Sequence, residues 1–322
     1  CLLMLITMAV PMNVAKASAV ENVKSTENEK PGSNTKEKTE KKSLKDAKAI
    51  SENKEAGRTQ VKASVASEEL QYGDFKYTIS ENTAIITGYI GSGGSVTIPD
   101  MIGEYTVTEV EYGAFRGNQS IISVDLPKSI KLIEDSAFSG CDKLQSVTMT
   151  SNTEHGYTTE IKECAFMGCT NLASVTLSEN VVSIEWEAFT DCISLRNIEL
   201  PKSVTYLGDH FIAGTAIQKI TIPKNVTASG NGYGYGRGTS GALAGCESLE
   251  EVIFEEGMKV IPDYIMASGK SINKVVIPES VTEIGMFAFY NCTALEGGLD
   301  LPKNIKLIED SAFSGCDKLQ SV

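Results

Sequence analysis

The sequence is poor in the residues that hydrolytic, phosphoryl-transfer and metal chemistry depends on. Only two histidines occur among 322 residues, His155 and His210, and no HxxxH pair is present. A nucleophile elbow and a P-loop are missing as well, so acyl and phosphoryl transfer lack their usual groups. No two cysteines stand in CxxC spacing and no histidine accompanies them, which leaves zinc without a ligand set. Bases are in deficit: 29 Lys and Arg stand against 42 Asp and Glu, for a net charge of -13. Residues 1–69 hold 12 bases and 10 acids, which leaves 17 bases against 32 acids, or -15, in the remainder. Such a field repels phosphate backbones and anionic membranes, so nucleic acid is excluded as a partner. Apolar runs are also short. The one at Leu2 to Val10 is stopped by Pro11, Asn13 and Lys16, well below the about 20 residues of a membrane-spanning helix.

What the sequence does have is repetition. The stretch from Asp125 to Val147, DLPKSIKLIEDSAFSGCDKLQSV, recurs from Asp300 to Val322 with 22 of 23 positions the same, Ser129 becoming Asn304. Looser copies carry an AFxxCxxL landmark whose Phe position falls at Phe115, Phe138, Phe166, Phe189, Phe211, Leu243, Met266, Phe289 and Phe313. Successive spacings are 23, 28, 23, 22, 32, 23, 23 and 24 residues. A period of about 20 to 29 residues with fixed apolar positions is that of a stacked solenoid, whose units bury their apolar faces only against neighbours.

Taken in order, residues 1–19 read as a partial secretory signal peptide, an apolar run followed by the small-residue triplet Ala17, Ser18, Ala19. Residues 20–67 are rich in Lys, Glu, Ser, Thr and Asn and cannot bury enough to fold, so they read as a disordered charged linker. Residues 68–95 alternate apolar and polar at Phe75, Tyr77, Ile79 and again at Ile85 and Tyr89, the pattern of a hairpin that caps the first repeat. Residues 96–322 hold about nine repeats, the last cut inside a strand. Each repeat has a strand LxxVxLP (Leu172, Val175, Leu177; Leu195, Ile198, Leu200, Pro201), an extended VxxI (Val181, Ile184) and the AFxxC turn (Ala188, Phe189, Cys192). The rung around Phe211 is one residue short.

These runs, TIP or LPK followed by VxxI and AFxGCxxL, resemble the BspA-like leucine-rich repeat family of bacterial and protist surface proteins, over about three quarters of the chain. The resemblance implies a leucine-rich-repeat solenoid, a right-handed superhelix with a parallel concave sheet and short strands or turns on its convex side. It also implies a secreted or cell-surface role in binding or adhesion.

Eight cysteines in a secreted chain would ordinarily suggest disulfides. Six of them fall at one repeat position, Cys141, Cys169, Cys192, Cys246, Cys292 and Cys316, with Asn118, Gly214 and Gly269 completing the column. Interchange with Asn and Gly marks a small packed site, so these cysteines read as buried free thiols, structural like the phenylalanines at 115, 138, 166, 189, 289 and 313.

Two places could receive a ligand. The outward column of the LxxVxL strands reads Thr97, Asp125, Thr148, Thr176, Glu199, Thr221, Ile253, Val276 and Asp300, a mildly acidic face with an apolar step at Ile253 and Val276. Threonine there fits plain strand-forming surface as well as a binding face. Asp125 and Glu199 stand three rungs apart, roughly 14 Å at strand spacing, too far for a glycosidase pair at about 5 to 9.5 Å. Two insertions, Thr150 to Thr159 and Thr227 to Gly241, are expected on one rim. The second alternates glycine without GK[ST], unlike a phosphate loop, and carries Tyr233, Tyr235 and Arg237, residue types that dominate interface hot spots.

The chain therefore reads as a non-enzymatic binding protein, monomeric, with an extracellular protein or glycan partner, no cofactor and no membrane insertion after signal cleavage. Two other readings remain: a targeting module of a larger extracellular enzyme, and a passive envelope component.

Overall fold

The computed structural model describes residues 68–151, 156–230 and 240–322. Residues 1–67 lie outside the described residues, as do His155, Tyr233, Tyr235 and Arg237. Most strands pair in parallel with their counterpart one repeat away, and the described array is all strand and turn, with no α-helix among the described residues.

The LxxVxL segments form what we name the front sheet. Gly94–Thr97, Ile121–Leu126, Ser146–Met149 and Ser174–Thr176 pair in parallel, and Val96, Val124, Val147 and Val175 are direct cross-strand partners. Lys219–Ile222, Glu251–Phe254 and Lys274–Val276 form a second parallel block with Ile220, Val252 and Val275 in line. A third block pairs Gly297–Gly298 with Leu319–Ser321. Alternation explains the arrangement: Val124, Val147, Ile220 and Val252 are buried while the residue after each faces solvent or lies half-buried.

The VxxI segments make a back sheet. Tyr105–Val110, Leu132–Ile133, Thr159–Ile161, Val181–Ile184, Tyr206–Leu207 and Ala228–Ser229 pair in sequence, and Val260–Ile261, Glu283–Ile284 and Leu307–Ile308 continue as a separate group. Between the sheets runs a ladder of turns. The amide of Phe115 donates to the carbonyl of Ala137, Phe138 to Ala165 and Phe166 to Ala188, each at 2.8 Å. The core is the column these turns carry. Phe115, Phe138, Phe166 and Phe189 stack with ring centroids 4.7, 5.1 and 5.1 Å apart. Burying each ring stabilises the array by about 1.5 to 3 kcal/mol, and such a ring pair adds about 0.5 to 1.5 kcal/mol.

The N-terminal hairpin continues both features. Phe75–Ser80 and Thr83–Tyr89 are antiparallel, and Thr83–Tyr89 then pairs in parallel with Tyr105–Val110 at the head of the back sheet. Tyr89 stacks on Phe115 and Phe75 packs tilted against Tyr89, both at 5.5 Å, so the aromatic column begins in the cap. One further hairpin, Met101–Ile102 with Tyr105–Val110, was not foreseen from the alternation pattern.

Most turns hold two left-handed residues. One column is Gly113, Ser136, Cys164, Glu187, His210, Tyr264, Phe287 and Ser311, with φ of 64, 56, 54, 52, 59, 58, 55 and 57°. The other sits just before the cysteine position and is mostly glycine: Gly117, Gly140, Gly168, Gly214, Gly245 and Gly315. An L-residue in this region costs roughly 1 to 2 kcal/mol. The turn ladder and the buried ring two residues later hold the first column in place.

The hydrogen bonds correct one register. The amide of Phe189 reaches the carbonyl of Phe211, as Phe166 reaches Ala188, so Phe211 occupies the Ala position. Ile212 therefore fills the Phe column, and Thr215 rather than Gly214 fills the cysteine column. Gly214, with φ 68°, takes the left-handed place of Asp191. The period becomes 23 from Phe189 to Ile212 and 31 from Ile212 to Leu243. Phe is apolar wherever it lies, and only the backbone ladder distinguishes the two positions.

The two insertions leave from different edges, not from one rim. The first runs from the end of the front strand Ser146–Met149 to the back strand Thr159–Ile161. The second leaves after the back strand Ala228–Ser229 and returns at the turn Ala242–Leu243.

Candidate functional site

The expected outward column is outward. Thr97, Asp125, Thr148 and Thr176 are exposed direct partners along the first block, and Thr221, Ile253 and Val276 are in register along the second. Asp300 is exposed beyond the strand Gly297–Gly298. Glu199 is also exposed, but its segment breaks the pattern expected for Leu195 to Pro201: residues 195–200 form no strand.

The front sheet opens here. Backbone N–H and C=O groups of residues 196–200 make no hydrogen bond to the strands on either side. The turn beneath them stays closed, since the amide of Ala216 donates to Leu195 at 2.9 Å. The back sheet also stays closed at the same rungs, with Ser183, Tyr206 and Ala228 in line. Six residues separate the cysteine column from the inward strand residue at Cys141 and Val147, at Cys192 and Ile198, and at Cys246 and Val252, but only five at Thr215 and Ile220. That step does not cause the gap, since Lys219–Ile222 pairs in full register with Glu251–Phe254. Nothing in the structure explains the gap on either side.

Opening leaves two grooves flanking the segment. One, of about 560 Å³, lies toward Lys219–Ile222 and is lined by Arg196, Glu199, Gln218, Lys219, Thr221 and Glu255 among others. The other, of about 620 Å³, is lined by Thr176, Glu179, Asn197, Glu199 and Lys202 among others. Glu199 thus lines both grooves, with Thr221 in the first and Thr176 in the second. Thr148 lies one strand away on one side, Ile253 and Val276 one and two strands away on the other.

Charge is ordered beside the groove. Glu251 bridges Lys219 at 3.2 Å and Lys274 at 2.8 Å across three strands. The Lys274 hydrogen bond, followed by that of Lys219, holds the Glu251 carboxyl below the usual carboxylate range. This ladder fixes Lys219 at the groove wall.

The cysteine column is structural. Cys141, Cys169, Cys192, Cys246, Cys292 and Cys316 are buried free thiols. Each Sγ donates to a backbone carbonyl one repeat back, at 3.0 to 3.6 Å. Burial pushes the Cys192 thiol up to about 12. No group of three or more His, Cys, Asp or Glu among the described residues is placed to hold a metal. Ser240 and His210 share a third hollow, but the buried Ser240 Oγ makes no hydrogen bond among the described residues, so the nucleophile–base contact of acyl transfer is not made.

With this geometry in view, the family model for the BspA type leucine rich repeat region matches residues 108–233 and 239–322, about two thirds of the chain. This chain belongs to that family. A solved Treponema pallidum leucine-rich repeat protein is similar to it at 26% identity, with a TM-score of 0.48, covering 71% of this chain and 91% of that one. A leucine-rich cell surface protein from Faecalibacterium prausnitzii is 24% identical, with a TM-score of 0.44 and coverage of 80% and 89%. The pneumococcal vaccine antigen PcpA is 20% identical, with a TM-score of 0.33 and coverage of 79% and 80%. No curated protein was found to match. No helix among the described residues is long and apolar enough to cross a membrane.

Proposed function

We propose that this BspA-type array is a secreted or cell-surface binding protein that holds an extracellular protein or glycan on its front face, where the sheet opens at residues 196–200. The observation that carries the reading is the pair of grooves flanking the segment, with Glu199 lining both, Thr176 one and Thr221 the other. A shallow sheet face offers little enclosure, whereas these grooves add walls and polar groups of both signs, which is what a specific site requires. No cofactor enters this reading, and the array acts as a monomer. The Tyr233, Tyr235 and Arg237 loop is proposed as a second contact, on the strength of its residue types alone.

The test is binding of the full chain to extracellular-matrix proteins, mucin and bacterial glycans. A Thr176→Ala, Glu199→Ala, Thr221→Ala variant and a Tyr233→Ala, Tyr235→Ala, Arg237→Ala variant run alongside. Saturable binding weakened at least tenfold by the first variant, about 1.4 kcal/mol, supports the groove. Loss only in the second moves the site to the loop. No binding by the folded chain favours a passive envelope component or a targeting module whose partner is elsewhere.

A further inference from the structure

We infer that the opened rung recognises the main chain of an extended peptide, pairing with it as an added strand. The inference rests on the front-face reading and narrows its ligand class. Residues 196–200 present a run of backbone donors and acceptors that no group among the described residues satisfies. The facing edges of Ser174–Thr176 and Lys219–Ile222 are unpaired on the same side. Three parallel stretches of free main chain, all bordering open grooves, offer hydrogen bonds at strand spacing.

Native sheets generally pair, cover or charge such edges. Here the turn below and the back sheet remain closed, so the opening is confined to the ligand-facing side. Glycan hydroxyls do not repeat at strand spacing, so they would meet isolated backbone groups and not the whole run. An extended peptide uses them directly, with side-chain selection coming from alternate residues facing Lys219 and Glu199.

The test uses the full chain and a randomised linear 12-residue peptide library. A selected peptide is resynthesised with N-methyl groups on alternate amides of either register, and hydrogen exchange is followed with and without it. The expected result is binding reduced at least tenfold by one N-methyl register and little by the other. Slowed exchange at Asn197 to Leu200 should accompany it. A peptide indifferent to both registers overturns main-chain pairing and leaves front-face binding standing. Failure to select any peptide, with glycan binding that is lost in Glu199→Ala, also overturns the inference and retains the groove. Failure of both peptides and the extracellular panel overturns the inference and the proposed function together.

Discussion

The thiol of Cys141 donates to the carbonyl oxygen of Phe115, 26 residues earlier in the chain, at 3.0 Å. The same contact recurs between Cys169 and Phe138 and between Cys192 and Phe166, both at 3.2 Å. The column is therefore a set of small apolar side chains that also satisfy a buried carbonyl across a rung. Because the Phe166 carbonyl also accepts the Cys169 amide, Cys192→Ala should cost only about 1 kcal/mol. Cys192→Leu should cost about 1 to 3 kcal/mol through overpacking. Urea unfolding of the three proteins checks the order.

Burial also predicts thiol reactivity. Burial pushes the Cys192 thiol up to about 12, and burial with Glu187 and Glu163 nearby pushes Cys164 up to about 11. At pH 8 both are protonated, and the thiolate is the reactive form. Ellman's reagent should label Cys164 and Cys192 slowly in the folded chain and fully in urea. Fast labelling of Cys192 in the folded chain would contradict the packing.

The corrected register makes a sharp comparison. Thr215→Cys restores the column residue and should change stability by less than about 1 kcal/mol. Gly214→Cys puts a side chain on a left-handed residue, φ 68°, whose Cβ would stand 2.5 Å from Asp191 Oδ1. It should cost about 1 to 2 kcal/mol or more. The opposite order would reinstate Phe211 in the ring column.

Ser136 is left-handed with φ 56°, where the first rung has Gly113. Its side chain makes no hydrogen bond that glycine would lose, so Ser136→Gly should stabilise by roughly 0.5 to 1 kcal/mol, relieving conformational strain. Ser136→Val should destabilise. Thermal unfolding reads both.

Two carboxylates should respond to pH with opposite sign. Glu251, held low by Lys274 and Lys219, contributes stability that is full above the unfolded-state carboxylate pKa and is lost as pH falls through its lowered folded value. Glu109 is raised by burial first, then by Glu134 and Glu111. Its charge costs stability near neutrality, and that cost is relieved as pH falls through its raised folded pKa. Glu251→Gln should lose its deficit at the acid end, and Glu109→Gln should lose its advantage there.

Much of this was legible in the sequence because apolar spacing is set by burial. Phe138, Phe166, Val147 and Ile184 are where period and pattern put them. The register slip at Phe211 was not legible, since Phe and Ile are interchangeable as apolar residues and only hydrogen bonding separates them. The left-handed sites at Glu187 and Phe287 were hidden because neither is glycine. The gap at residues 196–200 was hidden because Ile198 and Leu200 look like any inward pair.

The front sheet opens at residues 196–200 while the turn ladder and the back sheet at the same rungs stay closed. Hydrogen exchange on the full chain measures this without a ligand. The amides of Asn197, Ile198 and Glu199 should exchange at least about 100-fold faster than those of Val147, Thr148, Val252 and Ile253, which lie in paired strands. The Phe189 amide, in the closed turn ladder, should match the slow group. Equal protection across all these amides would mean a continuous front sheet and no groove, and would contradict the account.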